Sequence, residues 1–331
     1  MKEPVTVVVV TFNSAEDIGA CLESILRNGC VPVIVDNGST DQTHDIVHRV
    51  SPDCSIVNNP LNGYARAINL GVAKCDSEIL VLSNADVIYP DGSIAQMAAY
   101  LKDNPKVGLL GPQQVYPDGS WQRSWGFTPG LKEAYLELLG ITTVYGELRR
   151  LTWPKRLSRR PSKVGYLDGA SLGVRRTVFE VAGGFDEEFP FYGEDSDFCL
   201  RVRSAGLQVM SYPGVSVVHR RGASTTRAGM SSSRYAKLLI QANRRLVLKR
   251  HGERYYAHFL RVKRLFNWHS AKLFGFIAAL LPEARRQRFT QKAELHSEYA
   301  RQLAEEISEP NNEPFRGSIC SGRVTEESKR T

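Results

Sequence analysis

Apolar positions in the first hundred residues come as short runs separated by amphipathic stretches. Val5 to Val10 is β-branched throughout and reads as a buried strand. Thr11-Phe12-Asn13-Ser14 follows, with Ser14 placed to cap a helix and Glu16 and Asp17 in its first turn, where carboxylates favour the helix dipole. Ile18, Cys21, Leu22 and Ile25 give that helix one apolar stripe, and Asn28-Gly29 ends it. Val31 to Val35 is a second strand, stopping at Asp36-Asn37-Gly38-Ser39-Thr40-Asp41. A helix to about Val50 and a third strand near Ser55 to Val57 follow. After a helical stretch from Tyr64 to Ala73, Ile79 to Leu82 is an uninterrupted apolar run, too short for a helix of its own, that breaks off at Ser83-Asn84-Ala85-Asp86. Asp91 to Lys102 reads as a helix stopped by Asn104-Pro105, and Val107 to Leu110 as another strand. This alternation predicts an α/β fold with a parallel, doubly wound sheet.

The pattern loosens from Tyr116 to about Lys163, where Trp121, Trp125 and Trp153 sit among Pro and Gly. The stretch reads as an insertion lining one side of a cleft, helical around Leu131 to Leu139. Gly165 to Val174 predicts a turn and then a strand, and Arg175 to Ala182 a short helix closed by Gly183-Gly184. A further helix is expected over Phe198 to Ser204, then two short strands, Val209 to Tyr212 and Val215 to Val218, with His219 after the second. Tyr235, Leu238, Leu239, Ala242 and Leu246 recur at helical spacing, as do Tyr255, Tyr256, Phe259, Leu260 and Phe266. From Glu305 onward Pro, Asn, Ser, Gly and charges predict disorder. The expected organisation is a body over residues 1–225, divided into 1–110 and 111–225, a helical extension over 226–304, and a tail over 305–331.

Charge sharpens this division. Residues 1–130 carry 8 Lys and Arg against 14 Asp and Glu, whereas residues 131–331 carry 35 against 21. Between Arg220 and Lys292 there are 18 basic residues and only two acidic ones, Glu253 and Glu283. Such a stretch suits an anionic partner, and its interleaved aromatics suit a membrane surface; a packed helix with a solvated basic face fits equally well. No signal peptide is expected, and the apolar stretch Leu273 to Leu281 is far short of the roughly 18 residues a membrane span needs. The six cysteines form no CxxC pair, which fits inert thiols in a reducing cytosol.

Ligands of open α/β sheets collect beyond the carboxyl ends of the strands. Those ends carry Thr11-Phe12-Asn13, Asp36 and Asn84-Ala85-Asp86, and later Glu194-Asp195. Asp36 can accept from the imide N–H of a uracil or thymine ring. Arg66 can offer a planar fork to a phosphate. Asp86 can hold a hard divalent cation that neutralises a diphosphate, and Asp195 can take a proton from an acceptor hydroxyl. The chain has no GxGxxG after its first strand and no GxxxxGK[ST], which argues against dinucleotide and P-loop chemistry.

The segments VVVVTFNS, VIVDNGSTDQT, NNPLNGYARAINLGV, EILVLSNADV, DGASLGVRRTVFEVAGGFDEEFPFYGEDSDFCLRVRSAG and SVVHRRGAS, taken together and in order, resemble the family 2 glycosyltransferases of GT-A fold, and most of all their bacterial rhamnosyltransferase branch. The resemblance implies a GT-A type, mostly parallel sheet with a Rossmann-like nucleotide-binding half, followed by the basic C-terminal helices. It implies an inverting transfer in which an acceptor oxygen attacks the sugar C1 as a nucleoside diphosphate leaves. Asp36 matches the Asp that reads the pyrimidine, with Thr11 and Asn13 packing around the nucleoside, and Arg66 matches a nucleotide-side helix position. Asp86 matches the last position of a DxD-type signature whose first position is Asn84 here, so binding of Mg²⁺ or Mn²⁺ would rest mainly on Asp86. Asp195 matches the general base, with Glu194 beside it as a supporting partner. His219 matches a His that completes the metal shell in some relatives, and Asp168 can contact the sugar or the acceptor.

The implied donor is a nucleotide-diphosphate sugar, with dTDP-rhamnose first. The acceptor would be a glycan or polyprenyl-linked saccharide of the cell surface, reached from the cytoplasmic face of the membrane through peripheral contact of residues 226–292, with Arg261, Lys263 and Arg264 as its cations. No nucleic-acid partner is expected. Transfer of another sugar from a UDP donor, a sugar-1-phosphate nucleotidyltransferase, and a non-catalytic membrane- or nucleic-acid-binding protein remain as alternatives.

Overall fold

A computed structural model of the chain describes residues 4–60, 63–142, 144–145, 148, 160–189, 192–220 and 231–308. The first half runs β1 (Thr6–Thr11), α1 (Ile18–Arg27), β2 (Val31–Asp36), α2 (Thr43–Val50), β3 (Ile56–Asn58), α3 (Tyr64–Val72), β4 (Ile79–Asn84), β5 (Val87–Ile88), α4 (Ser93–Asp103) and β6 (Val107–Val115). The second runs β7 (Trp125–Gly126), α5 (Leu131–Leu138), β8 (Ser162–Lys163), β9 (Tyr166–Leu167), β10 (Ser171–Arg175), α6 (Arg176–Val181), α7 (Glu194–Ser204) and β11 (Gln208–His219). Three long helices close it, α8 (Ser232–His251), α9 (Glu253–Leu280) and α10 (Glu283–Ser308).

Among the described residues the central sheet has nine strands in the order β3-β2-β1-β4-β10-β6-β11-β5, with β8 added alongside β11. β1, β2, β3, β4, β6 and β11 run one way; β10, β5 and β8 run against them. The sheet is therefore mostly parallel, as expected, but mixed. The strand expected within Gly165 to Val174 is β10, and it enters antiparallel between β4 and β6. β1 alternates its side chains between two cores. Val7 and Val9 pack with Ile18, Leu22 and Ile25 of α1 and Met97 and Leu101 of α4. Val8 and Val10 pack on the other face with Ala67 and Ile68 of α3, Phe179 of α6 and Phe198 of α7. Each such fully buried aliphatic or aromatic side chain contributes roughly 1.5–3 kcal/mol.

Three local expectations change. The helix expected over Phe198 to Ser204 begins at Glu194, because Gly193 adopts φ 88° and starts the helix while Glu194, Asp195 and Asp197 fill its first turn. The two short strands before His219 are one strand, β11, kinked by a register shift between Tyr212 and Ser216. The expected pair of basic helices is a set of three with a core of its own: Ala236, Ile240 and Val247 of α8, Tyr256, Phe259 and Leu260 of α9, and Tyr299 and Leu303 of α10, joined by Ala134 of α5. The last helix continues to Ser308, four residues into the expected tail; the remainder of that tail, with Cys320, lies outside the described residues, as does Trp153. Cys21, Cys30, Cys54 and Cys199 are buried free thiols. Burial pushes Cys30 up to about 11 and Cys21 and Cys199 higher still, in keeping with inert side chains.

Gly71 sets how closely α3 lies on the sheet. A Cβ there would stand 2.3 Å from Val8 Cγ1 and 2.9 Å from Val35 Cγ2. Gly71→Ala should therefore destabilise the fold by roughly 1–3 kcal/mol, despite alanine's better helix propensity. Denaturant unfolding of the variant checks this.

Candidate active site

The site begins where parallel strands end side by side. Thr11 closes β1 opposite Asp36, the last residue of β2, and Val10 faces Asn84, the last residue of β4. The chain proceeds outward on one side of β1 through β2 and β3, then crosses to β4 on the other. This reversal opens the crevice in which α/β sheets bind ligands. Two strand spacings, roughly 10 Å, separate Asp36 from Asn84 across it.

On the β2 side, Asp36 is buried and holds its own loop. Its Oδ2 accepts from the Gly38 and Ser39 amides at 3.0 and 2.9 Å and lies 3.1 Å from His44 Nε2, and its Oδ1 accepts from the Ser39 hydroxyl. With about four lone-pair positions per carboxylate, room for one further donor is left on Oδ1. Asn13 sits at φ 47°, a conformation Asn tolerates better than most residues, and its Oδ1 accepts from the Thr40 amide at 2.8 Å. Its own amide donates to Ser39 Oγ at 2.8 Å, so the loops after β1 and β2 are tied together. Thr11 is buried beside them, its hydroxyl without a hydrogen-bond partner among the described residues.

On the β4 side, Asp86 is buried and faces His219, whose Nε2 lies 3.5 Å from Asp86 Oδ1. β11 delivers His219 there by pairing with β5, His219 opposite Val87. His219 Nδ1 lies 2.7 Å from Gln122 Oε1 and 2.8 Å from Gln114 Oε1. Gln122 donates its side-chain amide to the His219 carbonyl at 3.1 Å, which orients its oxygen toward Nδ1. Nδ1 therefore carries a proton, and when the ring is neutral Nε2 turns its lone pair to the carboxylate. Two lone pairs facing one another are favourable only with a cation between them, a second proton or a metal ion. This donor set fits a divalent ion held by two protein ligands, with the other positions left to water or phosphate oxygens. No group of three or more His, Cys, Asp and Glu arranged to hold a metal occurs among the described residues.

The third part comes from β10 and α7. The Asn84 amide donates to the Ala170 carbonyl at 3.0 Å, which brings the Asp168-Gly169-Ala170 turn against the end of β4. The Gly169 amide donates to Asp195 Oδ2 at 3.1 Å, and Asp195 Oδ1 accepts from the Ser196 amide at 2.6 Å. Tyr64, the first residue of α3, donates its hydroxyl to the Gly169 carbonyl at 2.8 Å. Burial raises the Tyr64 phenol, with Glu194, Asp195 and Asp86 adding to the effect, so this ring feels all three carboxylates. Burial likewise pushes Asp195 up to about 6, with the Asp168 carboxylate next in effect, and Glu194 up to about 8, with Asp195 next. Glu194 Oε2 has no hydrogen-bond partner among the described residues.

The structure thus brings Thr11, Asn13 and Asp36 together on one flank of the crevice and Asn84, Asp86, Asp168, Glu194, Asp195 and His219 on the other. Arg66 instead turns to Glu187, 3.5 Å away, in a half-exposed ion pair on α3. Asp197 binds Arg201 Nε at 2.7 Å one turn along α7. Sequence reasoning passed over Tyr64, Gln114 and Gln122. The glutamines did leave a signal, since two consecutive polar residues, Gln113 and Gln114, are unusual within a strand as continuously buried as β6.

The profile of Glycosyl transferase family 2 matches residues 6–182, more than half of the chain. The chain belongs to that family. The transferase is similar to an N-acetylglucosaminyl-diphospho-decaprenol L-rhamnosyltransferase of Mycobacterium tuberculosis, at 30% identity over 252 residues, 69% of this chain and 79% of that protein. It is also similar to a dTDP-rhamnosyl transferase of Shigella flexneri, at 23% identity over 67% of this chain and 71% of that one. Among solved structures, a mannosyltransferase from Pyrobaculum calidifontis in complex with GDP-mannose and Mn²⁺ matches with a TM-score of 0.54 at 19% identity, covering 94% of this chain and 88% of that chain, a likeness of fold. The transferase thus has the GT-A fold, and membership of an enzyme family removes the non-catalytic and nucleotidyltransferase readings.

Protonation of Glu194 yields a test. A carboxyl held at about 8 in the fold, against about 4.3 when unfolded, binds more protons folded than unfolded between those values, so the fold loses stability as pH rises through that window. Glu194→Gln should leave the melting temperature almost unchanged at pH 4 and raise it increasingly toward pH 8. Thermal unfolding across that range checks it.

Proposed function

We propose that the transferase moves L-rhamnose, with inversion, from dTDP-rhamnose to a lipid-linked saccharide at the inner face of the cell membrane during cell-surface polysaccharide synthesis. The rhamnosyltransferase relatives support the donor, and the decaprenol-linked substrate in the name of the Mycobacterium tuberculosis relative supports the acceptor class. The observation that carries the reaction is the arrangement across the Asn84–Ala170 bond, with Asp86 and His219 on one side and the half-buried, amide-held Asp195 on the other.

In this reading Thr11 and Asn13 surround the nucleoside, and Asp36 accepts from the pyrimidine imide through Oδ1. Asn84 and Arg66 lie on the donor's phosphate side, Arg66 after leaving Glu187. Asp86 and His219 would hold Mg²⁺ or Mn²⁺, which when bound supplies positive charge to the departing diphosphate; Mn²⁺ accompanies the nucleotide sugar in the Pyrobaculum structure. Asp195 takes the proton of the acceptor hydroxyl as that oxygen bonds to C1 and the C1–diphosphate bond breaks. A carboxylate raised to about 6 is ionised at neutral pH yet more basic than an exposed Asp, as a general base requires. Asp168 and Glu194 line the sugar and acceptor side. Glu194, protonated at neutral pH, can donate a hydrogen bond to a sugar hydroxyl without adding charge beside Asp195.

The test is a panel of dTDP-rhamnose and UDP-sugars with a polyprenyl-diphosphate-linked acceptor and Mg²⁺ or Mn²⁺, read by product analysis. dTDP-rhamnose should be consumed with transfer, and Asp195→Asn should lower turnover by roughly 10²–10⁴-fold while donor affinity stays within a few-fold. Preference for a UDP-sugar would refute the donor, and normal turnover in the variant would refute the base. Asp86→Ala should abolish the metal dependence of donor binding measured by calorimetry.

A further inference from the structure

The cations named from sequence as the membrane-facing set do not share a surface. Lys263 is largely buried, its side chain 14% exposed, and paired with Glu137 of α5. Burial alone would lower its pKa, but the Glu137 carboxylate more than offsets this and raises it. Beside them burial lifts Glu133 to about 7, with Glu137 adding to it. This group fastens α9 to α5 and faces inward.

The outward face of α9 is different. Leu265, Trp268, Leu273, Phe276 and Leu280 are each between 44% and 69% exposed, though large apolar side chains ordinarily seek the interior. At 3.6 residues per turn they fall within an arc of roughly 140°. The opposite face of the same helix is covered by α10. There Phe274 packs against Phe289 and stacks on His296, and Asn267 Oδ1 accepts from His296 Nδ1 at 2.8 Å. Within the exposed arc Lys272 holds its ammonium 3.7 Å from the centre of the Trp268 ring, and Arg261 and Arg264 are exposed toward its amino-terminal end. Residues 254–282 contain no carboxylate at all. No helix among the described residues is long and apolar enough to cross a membrane.

We infer that this face of α9 docks the transferase on an anionic lipid surface, with the helix lying in the plane of the interface. Trp268, Leu273, Phe276 and Leu280 enter the boundary between headgroups and acyl chains, while Lys272, Arg261 and Arg264 meet the lipid phosphates. Charge selects the partner, since an apolar stripe flanked by cations and free of carboxylates is repelled by a second copy of itself and attracted by phosphate headgroups. The inference is independent of which sugar is transferred, and its test does not use the reaction.

Flotation of the full chain with phosphatidylglycerol-containing vesicles should recover it with lipid, and pure phosphatidylcholine vesicles should recover much less. Leu273→Glu combined with Phe276→Glu should cut the partition to anionic vesicles by about tenfold or more with an unchanged melting temperature, because both positions are exposed. In the otherwise native chain, vesicles bearing bromine in the acyl chains should quench tryptophan fluorescence, and Trp268→Phe should remove that quenching although Trp121, Trp125 and Trp153 remain. Failure of the native chain to float, equal recovery with neutral vesicles, or quenching that survives Trp268→Phe would overturn the inference. So would sedimentation showing a lipid-free dimer that the double variant dissolves, since the face would then join two copies.

Discussion

The hydrogen bond from the Asn84 amide to the Ala170 carbonyl is the joint of this molecule. It exists because β10 enters the sheet against the direction of β4, with Ser171 opposite Ser83. A parallel strand in that place would start, rather than finish, its preceding turn at the opposite end of the sheet, far from the crevice. The antiparallel insertion instead sets Asp168 and Gly169 beside the end of β4, and Gly169 is then in place to donate to Asp195. Tyr64 holds the next peptide through the Gly169 carbonyl. Three consecutive peptide groups thus fix the carboxylate of a helix, the start of another helix and the end of a strand.

Keeping several carboxylates in one buried place opposes folding. Asp86 and Glu194 are buried and Asp195 is half-buried, and the rise in the carboxyl pKa values of Asp195 and Glu194 reflects that opposition. The amides of Gly169 and Ser196 offset part of it at Asp195, and the imidazole of His219 faces Asp86. Glu194 has no such hydrogen bond on Oε2 and keeps its proton instead. Both adjacent acids are raised chiefly by burial, but Asp195 gains the Gly169 and Ser196 amide hydrogen bonds that offset part of it, which lets neighbouring residues on one helical turn act differently.

What could be read from the sequence followed from what local pattern encodes. β1, β2 and β4 are apolar runs with abrupt polar stops, so their existence and the placement of Thr11, Asp36 and Asn84 at their ends were legible. The direction of β10 was not, because an apolar run looks the same in either orientation. The start of α7 was missed because Glu194-Asp195-Ser196-Asp197 reads as a polar connection; it is helical because Gly193 supplies the left-handed turn and the carboxylates lie at the positive end of the helix. Lys263 was read as a surface cation because nothing near it in sequence announces Glu137, 126 positions away. The outward stripe of α9 was hidden for a related reason: a helix apolar on more than one side does not reveal which side its neighbours cover.

The contacts between α5 and the C-terminal helices have a consequence for how the chain can be divided. The Tyr255 hydroxyl accepts the Leu131 amide at 2.8 Å, at the first residue of α5, and Lys263 satisfies Glu137 near its end. Both ends of a helix in the middle of the chain are thus finished by side chains more than a hundred positions later. A protein cut short before α9 would retain every residue of the crevice and still leave α5 with an uncapped start and an unneutralised acid. Helix α9 is accordingly part of the scaffold that holds α5, and trimming it away would remove that support.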